Sequence, residues 1–206
     1  MMAVSTPEET HTARKSVIKD YARILVVSAV LALFIRTFVV QAFQIPSGSM
    51  ENTLLVGDFL LANKFLYGAK IPLTGVRLPA VRHPRRGDVI IFRDPREEKD
   101  LIKRCVAVAG DKVELRENTL LVNGEEKVEN YVALRGPAPA LANFGPLTVP
   151  EGCLFMLGDN RNNSLDSRFW GPLDEKLVKG SAMVLYLSWD KEKGRPRLSR
   201  IGDVIR

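Results

Sequence analysis

The chain has 206 residues, of which 46% are apolar and 26% charged, a composition that excludes a disordered chain and leaves room for one cored domain plus a membrane segment. Its net charge of +6 is diluted over a large surface, because residues 44–206 hold 25 basic and 21 acidic side chains; nucleic acid is therefore not the implied partner. Two cysteines, Cys105 and Cys153, and two histidines, His11 and His83, form no metal-ligating spacing, so neither a metal nor another cofactor is implied.

The first predicted element is a span. Ile24 to Phe43 carries a single charge, Arg36, and at about 1.5 Å per residue it crosses about 30 Å of hydrocarbon as a helix. Arg14, Lys15, Lys19 and Arg23 precede it, whereas the first charges after Arg36 are Glu51 and Asp58. The positive-inside rule then leaves the amino terminus in the cytoplasm and everything after Phe43 outside. The expected organisation is a cytoplasmic tail over 1–22, a transmembrane anchor over 23–43 and an extracytoplasmic domain over 44–206. A cleaved secretory signal is the competing reading, since a basic region precedes the short run Ile24–Ile35 and Val40-Gln41-Ala42 passes as a small-residue cleavage site. Bulky Phe38 and Val39 in the cleavage region, and an Arg36 able to snorkel to the interface, favour the anchor.

Beyond the span, short β-type runs alternate with turn signals: Asp58–Phe65, Asp88–Phe92, Ile102–Val108, Lys112–Leu115, Leu120–Val122, Cys153–Leu157 and Ala182–Trp189. Asn123-Gly124 is a two-residue hairpin signal, and Gly87-Asp88 and Gly110-Asp111 open strands. Tyr67–Arg86 and Leu134–Pro150, rich in Gly and Pro, read as loops. The expected fold is mostly β, a single antiparallel and partly closed domain. Cys105 and Cys153 read either as a disulfide in an oxidising compartment or as free, buried thiols.

Three segments carry candidate chemistry. Pro46-Ser47-Gly48-Ser49-Met50 leaves the span as a Gly/Ser turn, which either exposes a hydroxyl or is an ordinary turn. In Leu101–Val108 an apolar run is interrupted by Lys103 and Arg104, which in a strand point to opposite faces, so one of them leans inward. A buried lysine loses the solvation of its charged form and becomes a competent base; an edge strand guarded by two cations is the alternative. Gly158–Gly171 is the densest polar cluster, either a solvated loop or a rigid frame in which Asp166 pairs with Arg168 and Ser164 holds a neighbouring group. His11 lies before the span and His83 in an ordinary surface loop, which nearly removes a Ser-His-Asp triad.

These segments in this order, together with GDFLLANKF, RGDVIIF, IKR with GDKVEL, GDNRNNSLDSRFWG and the closing SRIGDVIR, resemble bacterial type I signal peptidases, serine endopeptidases with a Ser-Lys dyad. The resemblance runs from about Phe34 to the end. It implies an antiparallel-sheet catalytic domain, no cofactor, and signal-peptide-bearing pre-proteins and the lipid bilayer as partners. It places the protein as a single-pass protein of the bacterial cytoplasmic membrane. Carried over by position, it implies Ser49 as nucleophile, Lys103 as general base, Ser47 and Ser49 as oxyanion-hole donors, and Ser164 as the residue orienting Lys103. Asp166 and Arg168 become a supporting pair, with Asp159 near the site; Phe43, Ile45, Met50, Leu54 and Ile91 become candidates to line the substrate pockets. Asn162 departs from the family, which usually has aspartate there, and this weakens a supporting contact. An inactive tethered peptide-binding protein and a self-cleaving Ser-Lys repressor are the alternatives; the second needs a DNA-binding module for which the tail is too short.

Overall fold

The computed structural model describes residues 7–71, 74, 76–136 and 141–206. Helix α1 (Pro7–Phe34) continues into a π-helical turn over Ile35–Val39. Its window Lys19–Val39, with mean hydropathy 2.1, is long and apolar enough to cross a membrane and is not buried against the rest of the chain. Tyr21, Leu25 and Leu33 stand 62–70% exposed along it, an apolar surface that water does not stabilise.

The apolar run, expected to stay helical to Phe43, turns to strand four residues earlier. β1 (Val40–Gln44) pairs antiparallel with β2 (Asp58–Asn63), Val40 opposite Asn63 and Gln44 opposite Phe59. Lys64 N–H also donates to Val39 O at 3.0 Å, which fixes the end of the helical segment on the sheet. Continuing as helix would leave β2 an unpaired edge, whereas the β-branched Val39-Val40 suits extended backbone.

The chain then runs through β3 (Val89–Arg93), β4 (Asp100–Val108), β5 (Lys112–Arg116), β6 (Thr119–Val122), β7 (Glu125–Glu126), β8 (Phe144–Thr148) and β9 (Cys153–Leu157). The short helix α2 (Ser167–Trp170) follows, then β10 (Leu173–Asp174), β11 (Val178–Asp190) and β12 (Arg195–Pro196). The main sheet has the order β1-β2-β11-β3-β4-β9-β10, with β12 on β11; a smaller sheet runs β7-β6-β5-β8. Every named pairing is antiparallel, as expected of a mostly β chain. Register shifts in β11 opposite β2 and β3, and between β4 and β9, bend the main sheet into a curl.

The apolar run of β3 follows from its burial on both faces. Val89 and Ile91 pack with Ile45, Met50, Leu54 and Leu60, while Ile90 and Phe92 pack with Tyr67, Cys105, Met156 and Val178. A third cluster, with Val113, Leu115, Val122, Phe155 and Leu157, joins the two sheets. Asn123 and Gly124, with φ of 57° and 83°, make the hairpin between β6 and β7. Glu117 and Asn118, at 48° and 66°, make a second one between β5 and β6 that carries no Asn-Gly signature.

One expectation about the loops is corrected. Leu134–Pro150 is not wholly loop, because β8 lies inside it; Gly145 and Pro146 masked the strand, yet β8 is an edge strand, where proline removes no ladder bond. Of the two readings of the cysteines, the free thiols hold, with Cys105 buried and Cys153 half-buried. The β4–β9 register puts Cys105 opposite Met156 rather than Cys153, and burial pushes the Cys105 thiol up to about 12.

Candidate active site

Ser49 sits on the single 3₁₀ turn Gly48–Met50 that joins β1 to the loop before β2. Met50 is the anchor of this turn: its side chain is 2% exposed and its carbonyl accepts from Thr53 N at 3.1 Å and Leu54 N at 2.7 Å. From the other side, Asn160 N–H donates to Ser49 O at 3.1 Å and Asn160 Nδ2 to Gly48 O at 3.2 Å. The Ser49 turn is thus clamped between the core and the polar loop, with the Ser49 side chain left half-buried.

Lys103 comes from β4. Its Nζ is 2.7 Å from Ser49 Oγ and 3.1 Å from Ile102 O, and the residue is 3% exposed. Burial lowers its pKa to about 8, against the attraction of Asp166, Asp159 and Asp94. Near neutral pH a useful fraction of the amine is therefore unprotonated and hydrogen-bonded to a hydroxyl.

The expectation that only one of the two β4 cations leans inward is corrected, for Arg104 is 1% exposed. Its guanidinium meets Asp159 bidentately, Nε to Oδ1 at 2.8 Å and Nη2 to Oδ2 at 2.7 Å, and lies over the Tyr131 ring at 3.8 Å from the centroid. Thr53 Oγ1 donates to Asp159 Oδ2 at 2.5 Å. Arginine suits this place because its planar fork satisfies a carboxylate while its face stacks on an aromatic ring. The structure thus brings Asp159 within one residue of Lys103 and ties it to the segment after Ser49.

Asp166 and Arg168 are brought together as well, Nε to Oδ1 at 2.8 Å and Nη2 to Oδ2 at 2.9 Å, both side chains fully buried. Asp166 also accepts from Gly158 N at 3.1 Å and caps α2 through Arg168 N, while Arg168 Nη2 donates to Arg161 O at 2.8 Å. The polar cluster is a rigid frame, not a solvated loop. Ser164 is held in it with its Oγ buried and without a partner among the described residues, rather than bonded to Lys103. Among the described residues Asn162 Oδ1 is buried without a partner, and Nδ2 donates to Leu134 O at 3.3 Å.

Gly158 makes this frame possible. A Cβ there would lie 2.2 Å from Ser164 Oγ and 2.6 Å from Ser49 O, so only a glycine lets the polar loop close on the Ser49 turn. Gly158→Ala is expected to yield a folded protein with peptidase activity reduced at least a hundredfold, because displacement by about 1 Å at reacting groups costs that much; titration of activity against circular dichroism of the same sample checks it.

A cleft of about 140 Å³ opens beside Ser49, lined by Phe43, Ile45, Ser47, Met50 and Ile102 among others. Ser47 is exposed at its rim. Leu54 and Ile91, candidates for this lining by resemblance, are instead wholly buried in the core beneath it. Ile91 lies opposite the cleft-lining Ile102 and so on the cleft's face, but it packs against Ile45 and Met50 and is wholly covered, which no motif reveals. Arg200 and Asn160 were missed from sequence. Arg200 Nη2 donates to the buried Asp58 Oδ2 at 2.7 Å and to Thr53 O at 2.9 Å, so the closing SRIGDVIR segment braces the loop that follows Ser49.

The family model described as signal peptidase, peptidase S26, matches residues 18–189. Signal peptidase I of Pseudomonas aeruginosa is 36% identical, with 84% of this chain and 74% of that one covered. A probable signal peptidase I-2 of Synechocystis is also 36% identical, over 81% and 72% of the two chains. The crystal structure of a signal peptidase I from Enterococcus faecalis is 33% identical and superposes with a TM-score of 0.42, covering 50% of this chain and 98% of that one. A match running from the apolar helix through β11, with relatives aligned over most of both chains, means that this chain belongs to the signal peptidase family, peptidase S26.

Proposed function

We propose that the protein is a membrane-anchored serine endopeptidase that removes signal peptides from translocated pre-proteins, with Ser49 as nucleophile and Lys103 as general base. The observation that carries this reading is the 2.7 Å contact between Lys103 Nζ and Ser49 Oγ, made by a lysine whose pKa burial has lowered to about 8. Neutral Lys103 takes the Ser49 proton as Oγ attacks the scissile carbonyl, then passes it to the leaving amine; water, activated by the same lysine, hydrolyses the ester. Ser49 N–H and the Ser47 hydroxyl are the proposed donors to the oxyanion, each worth about 2.7–4 kcal/mol in such sites. Ser164, packed with Ser49 on Gly158, is the residue proposed to hold the Lys103 amine once substrate has entered.

Substrate shape follows from two backbone edges. Among the described residues, β1 pairs only with β2, and β9 pairs with β4 only from Arg104 onward, leaving Asp100–Lys103 open on that side. An extended peptide adds to such edges by main-chain hydrogen bonds, and a cleft of about 140 Å³ admits only small side chains. The window Lys19–Val39 is the proposed anchor, with the amino terminus in the cytoplasm and the sheet domain on the outer face of the cytoplasmic membrane. Ser49 is ten residues past Val39, so the site lies within about 35 Å of the span. Pre-proteins held by their own apolar segment meet it in the same thin layer.

The test is cleavage of a membrane-inserted pre-protein by wild type and Ser49→Ala, with the new amino terminus sequenced. Wild type alone should cut, after a small residue. Its kcat/KM should rise about tenfold per pH unit below about 8 and level off above, because only unprotonated Lys103 accepts a proton. A flat profile from pH 6 to 10 would rule out a lysine base.

A further inference from the structure

Two adjacent clefts lie away from Ser49, where the chain leaves the helix. One, of about 170 Å³, is lined by Gln41, Lys64, Gly68, Lys70, Val178 and Lys179. The other, of about 880 Å³, runs between the helix end and β1–β2 along Leu33, Ile35, Val40, Ala42 and Leu61, with Arg36 on its wall. Gln41 and Lys64 line both. The small cleft is cationic and the large one largely apolar, and Lys64, whose N–H binds Val39 O, stands on the wall of both.

Lys179 is close enough to oppose both Lys64 and Lys70. Lys64 is lowered from its usual pKa by burial and by Lys179; Lys70 is lowered by burial and by Arg77, Lys179 and Arg93, with Asp174 acting the other way. Two carboxylates act on the cluster: Asp100 pairs with Lys179 at 2.6 Å, and Asp174 attracts Lys70. Crowding three ammonium groups beside an apolar groove costs free energy that an anion with a hydrocarbon tail would recover.

We propose that Lys64, Lys70 and Lys179 bind the phosphate of an anionic phospholipid whose acyl chain lies in the groove between the helix end and β1–β2. Charge complementarity selects the headgroup, and the groove's continuity with the apolar helix selects a lipid over a free anion. The proposal rests on the reading of Lys19–Val39 as a span. Because Asp100 also lines the catalytic cleft, the bound headgroup stands one ion pair from the substrate.

Native mass spectrometry of the full chain in detergent micelles tests this with four probes: dioleoyl phosphatidylglycerol, dioleoyl phosphatidylcholine, dihexanoyl phosphatidylglycerol and inorganic phosphate. Wild type should retain the long-chain phosphatidylglycerol, and neither the short-chain form nor millimolar phosphate should displace it. Each Lys→Gln change should weaken retention roughly fivefold, as about 1 kcal/mol per lysine near an anionic surface gives, and Lys→Arg should restore it. Equal retention of phosphatidylcholine, indifference to the triple Lys→Gln variant, or displacement by phosphate would each overturn the lipid site. A chain that stays soluble without detergent would overturn the span instead.

Discussion

Lys103→Met is expected to give a protein that folds at least as stably as wild type near neutral pH and cleaves about 10⁴-fold more slowly. Methionine fills nearly the same volume with an unbranched apolar chain, so the core around β4 stays packed, while Ser49 loses the only amine within hydrogen-bond reach among the described residues. General-base catalysis by a positioned side chain contributes up to about 10⁴-fold. The stability gain follows from the sign of the shift. The folded pKa of Lys103 lies near 8, below the ordinary lysine value of 10.5, so below pH 8 both folded and unfolded chains carry the proton and the folded state bears a penalty of about 3 kcal/mol. Between pH 8 and about 10.4 the unfolded chain binds more protons than the folded one, and wild-type stability rises with pH. The variant's advantage should therefore be full at pH 7 and vanish by about pH 10.5. Urea midpoints of both proteins at pH 7 and 10.5 measure this; a variant less stable at pH 7 would mean that Asp166, Asp159 and Asp94 hold the lysine charged.

Several features of this site were readable from sequence for physical reasons. β3 shows itself as VIIF because both its faces are covered, and the β6–β7 turn because Asn-Gly accepts positive φ at both positions. Other features leave no local trace. β1 is hidden because VVQAF is as apolar as the helix before it, and its strand state comes from pairing with β2, about twenty residues on. β8 is hidden by Gly145-Pro146, tolerable only at an edge. Alternation tells that Lys103 and Arg104 diverge, but not that each direction is buried. That depends on Ser49 and Asp159, 54 and 55 positions away in the chain. The same distance explains Leu54 and Ile91: their types fit a pocket or a core, and packing alone decides.

Asp159→Asn is expected to cost about 3–5 kcal/mol of stability, because it leaves the Arg104 guanidinium buried beside an amide instead of a carboxylate. The two side chains are 1–2% exposed and share two hydrogen bonds, so water does not compensate the loss. The site feels the change by two routes. Asp159 raises the Lys103 pKa by attraction, so its neutralisation should move the pH–rate profile to lower pH. It also accepts from Thr53, three residues after Met50 in the loop braced by Arg200, so kcat should fall even where Lys103 is fully neutral. Replacing both partners, Arg104→Met with Asp159→Leu, should recover most of the stability, since an apolar pair of similar volume removes both desolvated charges. Urea unfolding of the three proteins separates the cases: a single variant less stable than the double identifies an uncompensated buried charge, whereas a single variant within about 1 kcal/mol of wild type would mean that water reaches the pair.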